Sequence, residues 1–137
     1  MAGTFSLRIV SPGGNLLNED VEFVVFPGAM GELGVLPNHA PLIAGLDIGV
    51  IRYTLKGTVK HAAIAGGFVE VVDNSAIVLA DTAELGEGID LKRAMEAKER
   101  ALKRLSARTN EIDVRRAEYA LRRAVARISA SGDKRIS

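Results

Sequence analysis

Polar and apolar residues alternate from Phe5 to Val10, with Phe5, Leu7 and Ile9 on one side and Ser6, Arg8 and Val10 on the other. That is the period of a half-buried β-strand. Ser11-Pro12-Gly13-Gly14 stops the run, because Pro has no amide donor and Gly accepts positive φ. A second run, Val21–Phe26, is rich in β-branched and aromatic residues and halts at Pro27-Gly28. Val50–Leu55 and Thr58–Ala65 are separated by Lys56-Gly57, a two-residue hairpin turn. Phe68–Val72 and Ala76–Ala80 flank Asp73-Asn74-Ser75 in the same way. Short strands with turn signals roughly every 8–12 residues predict an antiparallel β-sandwich or barrel.

The pattern changes after Gly88. From there to Ser131 there is neither Gly nor Pro, and the apolar spacing becomes helical. Asp90 is placed to cap the first turn. Leu91, Ala94, Met95, Ala101, Leu102 and Leu105 then share a face. Ser106–Asn110 is polar and reads as a connection. Asp113 restarts the pattern, with Val114, Ala117, Leu121, Ala124, Val125 and Ile128 on one face. The sequence thus predicts an α+β chain: a sandwich over residues 1–86, then an antiparallel two-helix hairpin over 87–137 with helices at about 90–106 and 113–130.

The two helical stretches also repeat each other. Ile89–Leu105 (IDLKRAMEAKERALKRL) and Ile112–Ile128 (IDVRRAEYALRRAVARI) align with a shared Ile-Asp start and coincident Arg and Ala positions. Each carries arginines at i, i+7 and i+11: Arg93, Arg100, Arg104 and Arg116, Arg123, Arg127. At ~100° per residue they form a narrow stripe, which sequence places largely opposite the apolar face. Two readings of the stripes stand: a solvated basic face balanced by i, i+4 pairs such as Glu96–Arg100, Glu99–Lys103 and Glu118–Arg122, or a surface for an anionic partner.

Charge sharpens the division. The 137 residues hold 18 Lys+Arg against 17 Asp+Glu, for a net charge of +1. Yet residues 1–88 carry 4 basic and 10 acidic groups, whereas 89–137 carry 14 and 7. The lack of Cys excludes a disulfide scaffold, a thiolate nucleophile and a Cys-ligated metal. The opening MAGTFSLRIV has no basic n-region and does not read as a signal peptide. No apolar run approaches the ~20 residues a membrane-spanning helix needs. Neither His39 nor His61 has metal-ligand spacing, and GxSxG, HExxH and GxxxxGK[ST] are missing. Gly86-Glu87-Gly88 lacks the third glycine of a dinucleotide fingerprint and reads as a flexible joint. The chain therefore reads as non-catalytic, with no metal site. One segment stands out: Gly31–Leu42 (GELGVLPNHAPL) has two Pro, two Gly and one charge. It reads either as a tight corner with Leu36 and Leu42 in the core, or as a rigid contact surface.

GELGVLPNHAPL, Gly66–Val71 (GGFVEV), and Val78–Ala83 (VLADTA) followed by IDLKRA together resemble the epsilon subunit of bacterial and chloroplast F-type ATP synthases. The resemblance runs in order from about Phe5 to Ile128. It implies a non-catalytic rotor subunit of the central stalk, peripheral to the cytoplasmic face of the bacterial plasma membrane, in a proton-translocating complex. The sandwich would bind the gamma subunit and the c-ring through Glu32, Leu33, Gly34 and His39. The hairpin would either fold on the sandwich or extend along gamma toward the alpha and beta subunits and block ATP hydrolysis. Arg116, Arg122, Arg123 and Arg127 would then meet an acidic segment of beta.

In some members the folded hairpin binds ATP as a regulatory ligand, with no cofactor required. The resemblance carries that site onto Glu84, Ile89, Asp90, Arg93, Ala94, Arg100, Arg123 and Arg127. Arginines fork to phosphate oxygens, while Glu84 and Asp90 can accept from adenine amine or ribose hydroxyls. Gly86 and Gly88 depart from the pattern. A free-standing nucleotide sensor and a nucleic-acid-binding hairpin are the other readings. The second is poorly equipped, since Tyr119 is the only aromatic among its arginines and seven acidic residues interrupt them.

Overall fold

The structure is a computed structural model and describes residues 3–107 and 111–132, so part of the expected Ser106–Asn110 connection lies outside the described residues. Within them run β1 (Phe5–Ser11), β2 (Gly14–Val21), β3 (Phe23–Gly28), β4 (Gly31–Val35), β5 (Leu42–Leu55), β6 (Thr58–Val72), β7 (Ser75–Ala80), β8 (Ala83–Leu85), α1 (Leu91–Ala107) and α2 (Glu111–Ala130). The hydrogen-bonded order is β2-β1-β7-β6-β5-β3-β4, with β8 on β6. Folded on itself, this path makes a sandwich. All pairs are antiparallel except β1 with β7, which run parallel. The crossover follows from the core pattern: Leu7 and Ile9 need apolar neighbours beyond β2, and Ala76 and Val78 supply them.

The pattern of the sequence does not predict β2, β4 or β8, and β5 begins at Leu42 instead of Val50. Gly14–Val21 has few apolar residues and shows no regular alternation, yet it pairs with β1 from Phe5↔Val21 to Ser11↔Gly14. As an edge strand it needs only one apolar side, and Leu16, Leu17 and Val21 provide it. The expected strand Val21–Phe26 is broken at Glu22, where β2 ends and β3 begins. Thr58–Ala65 and Phe68–Val72, expected as separate strands, are one continuous β6. Gly66 and Gly67 lie at φ 90° and 128°, and they reverse the inward phase of the strand. Ala62 and Ile64 point into the core before them; Val69 and Val71 do so after. The same strand therefore pairs with β8 in its first half and with β7 in its second.

The tight-corner reading of Gly31–Leu42 places Leu36 in the core, but Leu36 is 58% exposed. Val35 is the inward residue at the end of β4, so alternation sends Leu36 outward. Leu42 does pack against the core.

The hairpin lies on the outer side of the β5–β6 ribbon. Ala63, directed away from the sandwich core, meets Ala126 and Ala130 of α2, with Ile48, Val50 and Ile89 around them. α1 packs on the other flank of α2, burying Ala94 and Ala101. α1 begins as predicted: Asp90 Oδ1 accepts from the Arg93 amide at 3.1 Å, an N-cap contact. α2 starts two residues earlier than Asp113, at Glu111. Gly86-Glu87-Gly88 is a single 3-10 turn, and Gly86 is no loose joint. A Cβ there would collide with the Ala130 carbonyl and crowd that of His61.

Gly86→Ala is therefore expected to lift the last turn of α2 from the sheet at a cost of about 1–3 kcal/mol. Hydrogen exchange would rise across Ala120–Ala130 and stay unchanged in β1 and β7. Equal protection of α2 in both proteins would show that the close approach does not matter.

Candidate functional site

α2 is buried on two sides. At ~100° per residue, Ala117 and Ala124 lie about 60–120° to one side of the Arg116–Arg123–Arg127 stripe, and Ala126 and Ala130 about 20–100° to the other. The first pair faces α1 and the second the sheet. The stripe thus falls between two buried faces instead of opposite one. α1 behaves alike, because the face it buries is centred on Ala94 and Ala101 and not on the larger Leu91, Met95 and Leu102. Alanine lets two helix backbones approach closely, so the helices rotate toward their small residues and bring the arginines with them.

Arg100, Arg104, Arg123 and Arg127 consequently converge on a cavity of about 580 Å³ between the two helices and the β6–β8 pair. Its floor is small and apolar, formed by Ala63, Ala65, Ala83 and Ala97. Its one carboxylate is Glu84 on β8, held beside Ala63 by the sheet register. Arg127 Nε donates to Glu84 Oε1 at 2.8 Å in a half-buried pair, with side chains 29% and 37% exposed. Volume, apolar floor and cationic rim suit a ligand with a flat apolar head and a polyanionic tail.

The eight residues expected at the nucleotide site divide. Glu84, Arg100, Arg123 and Arg127 line the cavity; Ile89, Asp90, Arg93 and Ala94 are not among its lining residues. Ile89 packs beside the alanine contact with the sheet, Asp90 caps α1, and Ala94 is buried under α2. Arg104, which the sequence places in the arginine stripe but not among the expected nucleotide-site residues, also lines the cavity. Among the described residues no group of three His, Asp or Glu could hold a metal.

Of the expected contacts with beta, Arg116 is exposed, while Arg122 Nη2 reaches Asp47 Oδ1 of β5 at 2.8 Å and ties α2 to the sandwich. The Asp47 carboxyl sits below the usual carboxylate range, chiefly because it accepts from the Ile48 amide and further because of Arg122.

The other expected surface is a sandwich edge. Met30 stands fully exposed in the turn between β3 and β4. Glu32 follows on β4 and pairs with Arg52 at 2.8 Å. Leu33 packs against the core, while Gly34 lies beside the Phe23 ring. His39 Nδ1 donates to the Ala40 carbonyl at 2.6 Å. The Asn38 amide donates to Asn74 Oδ1 at 2.8 Å, pinning this segment to the β6–β7 turn. Sequence reasoning missed a neighbouring patch. Phe68 and Leu79 are register partners, 45% and 44% exposed, and Ile43 is 70% exposed on the adjoining strand. The signal was present: β6 and β7 are apolar at both phases of their alternation, which a strand with one solvated face does not require.

The sandwich followed by two helices matches the two domains of one class, the delta/epsilon subunits of ATP synthases. The family model for the ATP synthase delta/epsilon chain, β-sandwich domain, matches residues 4–86, and that for its long α-helix domain matches 87–132. The chain belongs to this family, and its kinship is with the epsilon chains of bacterial F-type ATP synthases. It is 66% identical to the ATP synthase epsilon chain of Desulfitobacterium hafniense over 108 residues, 79% of this chain and 82% of that one. To that of Carboxydothermus hydrogenoformans it is 53% identical over 109 residues, 80% and 81% of the two chains. The fold matches a chain in the cryo-EM structure of Euglena gracilis mitochondrial ATP synthase, OSCP/F1/c-ring, with a TM-score of 0.80 and 24% identity over 97% of this chain and 84% of that one. Among the described residues no helix is long and apolar enough to cross a membrane.

The Asp47–Arg122 contact gives a pH signature. A carboxylate whose pKa is lowered by folding stabilises above its unfolded value and loses that contribution as pH falls through the folded one. With both partners nearly half exposed, the contribution is at most about 1 kcal/mol. Thermal melts should place Asp47→Asn below the parent chain at pH 6, with the gap closing as pH drops below about 4. A gap independent of pH would remove Asp47 from the docking contact.

Proposed function

We propose that this chain is a non-catalytic central-stalk subunit of a proton-translocating F-type ATP synthase whose hairpin is an ATP-sensitive brake on hydrolysis. The sandwich meets gamma and the c-ring, at the cytoplasmic face of the plasma membrane. Met30, Glu32 and the His39 segment contribute at its edge, and Ile43, Phe68 and Leu79 offer an apolar face for a stalk partner. When extended, the hairpin runs toward alpha and beta and presents Arg116, Arg122, Arg123 and Arg127 to acidic groups.

One observation carries the regulatory half: Glu84, Arg100, Arg123 and Arg127 surround a single cavity whose walls come from both helices and the sheet. Such a cavity exists only while the hairpin is folded down. A ligand that fills it favours the folded form by mass action. The docking it reinforces is weak. Contact with the sheet joins Ala126 and Ala130 to Ala63, with the partly buried Ile48, Val50 and Ile89 beside them, and adds two partly solvated ion pairs worth about 1 kcal/mol or less each. Arg122, Arg123 and Arg127 are engaged in or near the docked surface, so the same groups cannot serve the sandwich and beta together.

Two measurements test this reading. In calorimetry the full chain is expected to bind ATP, and Arg123→Ala to weaken it about tenfold or more, the loss of a charge-assisted phosphate contact. Unchanged affinity in the variant would remove the cavity as the binding place. In the reconstituted ATPase, a chain ending at Gly88 is expected to support faster hydrolysis than the full chain, with ATP relieving inhibition only in the latter. Equal rates would leave the hairpin with no inhibitory role.

A further inference from the structure

The four arginines of the cavity are ordered along it. α1 and α2 are antiparallel, so Arg127→Arg123 on α2 and Arg100→Arg104 on α1 both advance toward the joined end of the hairpin. Each step is one helical turn, ~6 Å. Arg127, farthest from the joined end, is already paired with Glu84 at 2.8 Å. Arg104 lies at the opposite end. Among the described residues, neither Arg100, Arg104 nor Arg123 has a carboxylate within ion-pair distance.

This order gives a bound nucleotide a direction. Glu84 repels phosphate and accepts from amine or hydroxyl groups, and the alanine floor beside it suits a base. Base and ribose therefore belong at the Glu84–Arg127 end. The phosphate chain runs away from that carboxylate, past Arg123 and Arg100, whose charge is uncompensated. Only the last phosphate of a triphosphate extends to Arg104.

We propose that Arg104 is a specificity-determining residue that selects nucleoside triphosphates over diphosphates by binding the terminal phosphate. This rests on the cavity being the nucleotide site. The competing role is structural: Arg104 occupies the last turn of α1, where a cation favours the helix dipole.

Calorimetric titration of the full chain with ATP, ADP and AMP separates these outcomes, using the parent, Arg104→Gln and Arg104→Lys, with helix content followed by circular dichroism. Arg104→Gln should lower ATP affinity about tenfold and leave ADP and AMP within about twofold, so that the preference for ATP disappears. Arg104→Lys, which keeps the charge and loses the fork, should fall between. An unchanged ATP affinity would overturn the assignment, as would an equal loss for all three nucleotides with reduced helix content. No binding of ATP by the parent chain would instead overturn the nucleotide reading itself, and this assignment with it.

Discussion

Everything distinctive in this molecule depends on the close approach that small residues permit around α2. Ala126 and Ala130 press against Ala63 of the sheet, Ala117 and Ala124 face α1, and Gly86 leaves room for the last carbonyl of the helix. A larger side chain at any of these places would hold the backbones apart. Because α2 is enclosed from two sides, its remaining stripe, the arginines, is confined to the seam between α1 and the sheet. The cavity is what remains when alanines pack and arginines cannot.

That choice also limits how firmly the hairpin is held. The sandwich core buries Leu7, Ile9, Phe26, Ile51, Val69 and Val78 completely, whereas among the described hairpin residues Ile128 is the one large side chain buried to that degree. Alanine yields little hydrophobic free energy on burial, and the Arg122–Asp47 and Arg127–Glu84 pairs are partly solvated. One unit is thus closed by its own core, and the other is attached to it by a smaller apolar contact and two partly exposed ion pairs.

The sandwich performs two tasks with one ribbon. Gly66-Gly67 reverses the phase of β6, so Ala62 and Ile64 enter the core from one half and Val69 and Val71 from the other. The outward residues differ accordingly: Ala63 in the first half receives α2, and Phe68 in the second joins Leu79 in an exposed apolar patch. The docked α2 and the exposed apolar patch thus occupy different stretches of the same ribbon.

By itself, the sequence determined the division into sandwich and hairpin, the helix start at Asp90, most strands and the family. These are local properties, fixed by period, turn chemistry and charge along the chain. It did not determine β2, whose single apolar side is too sparse to read, nor the continuity of β6, because two consecutive positive-φ glycines look like a break until pairing partners appear on both sides. The site was half legible. Glu84, Arg100, Arg123 and Arg127 came from motif resemblance, but the arginines were placed opposite the buried face because the larger apolar residues dominate an amphipathic pattern. Only tertiary packing decided otherwise: helices seat on the residues that allow the nearest approach, here alanines, and that rotation put the arginines at the rim of a cavity and added Arg104 to it.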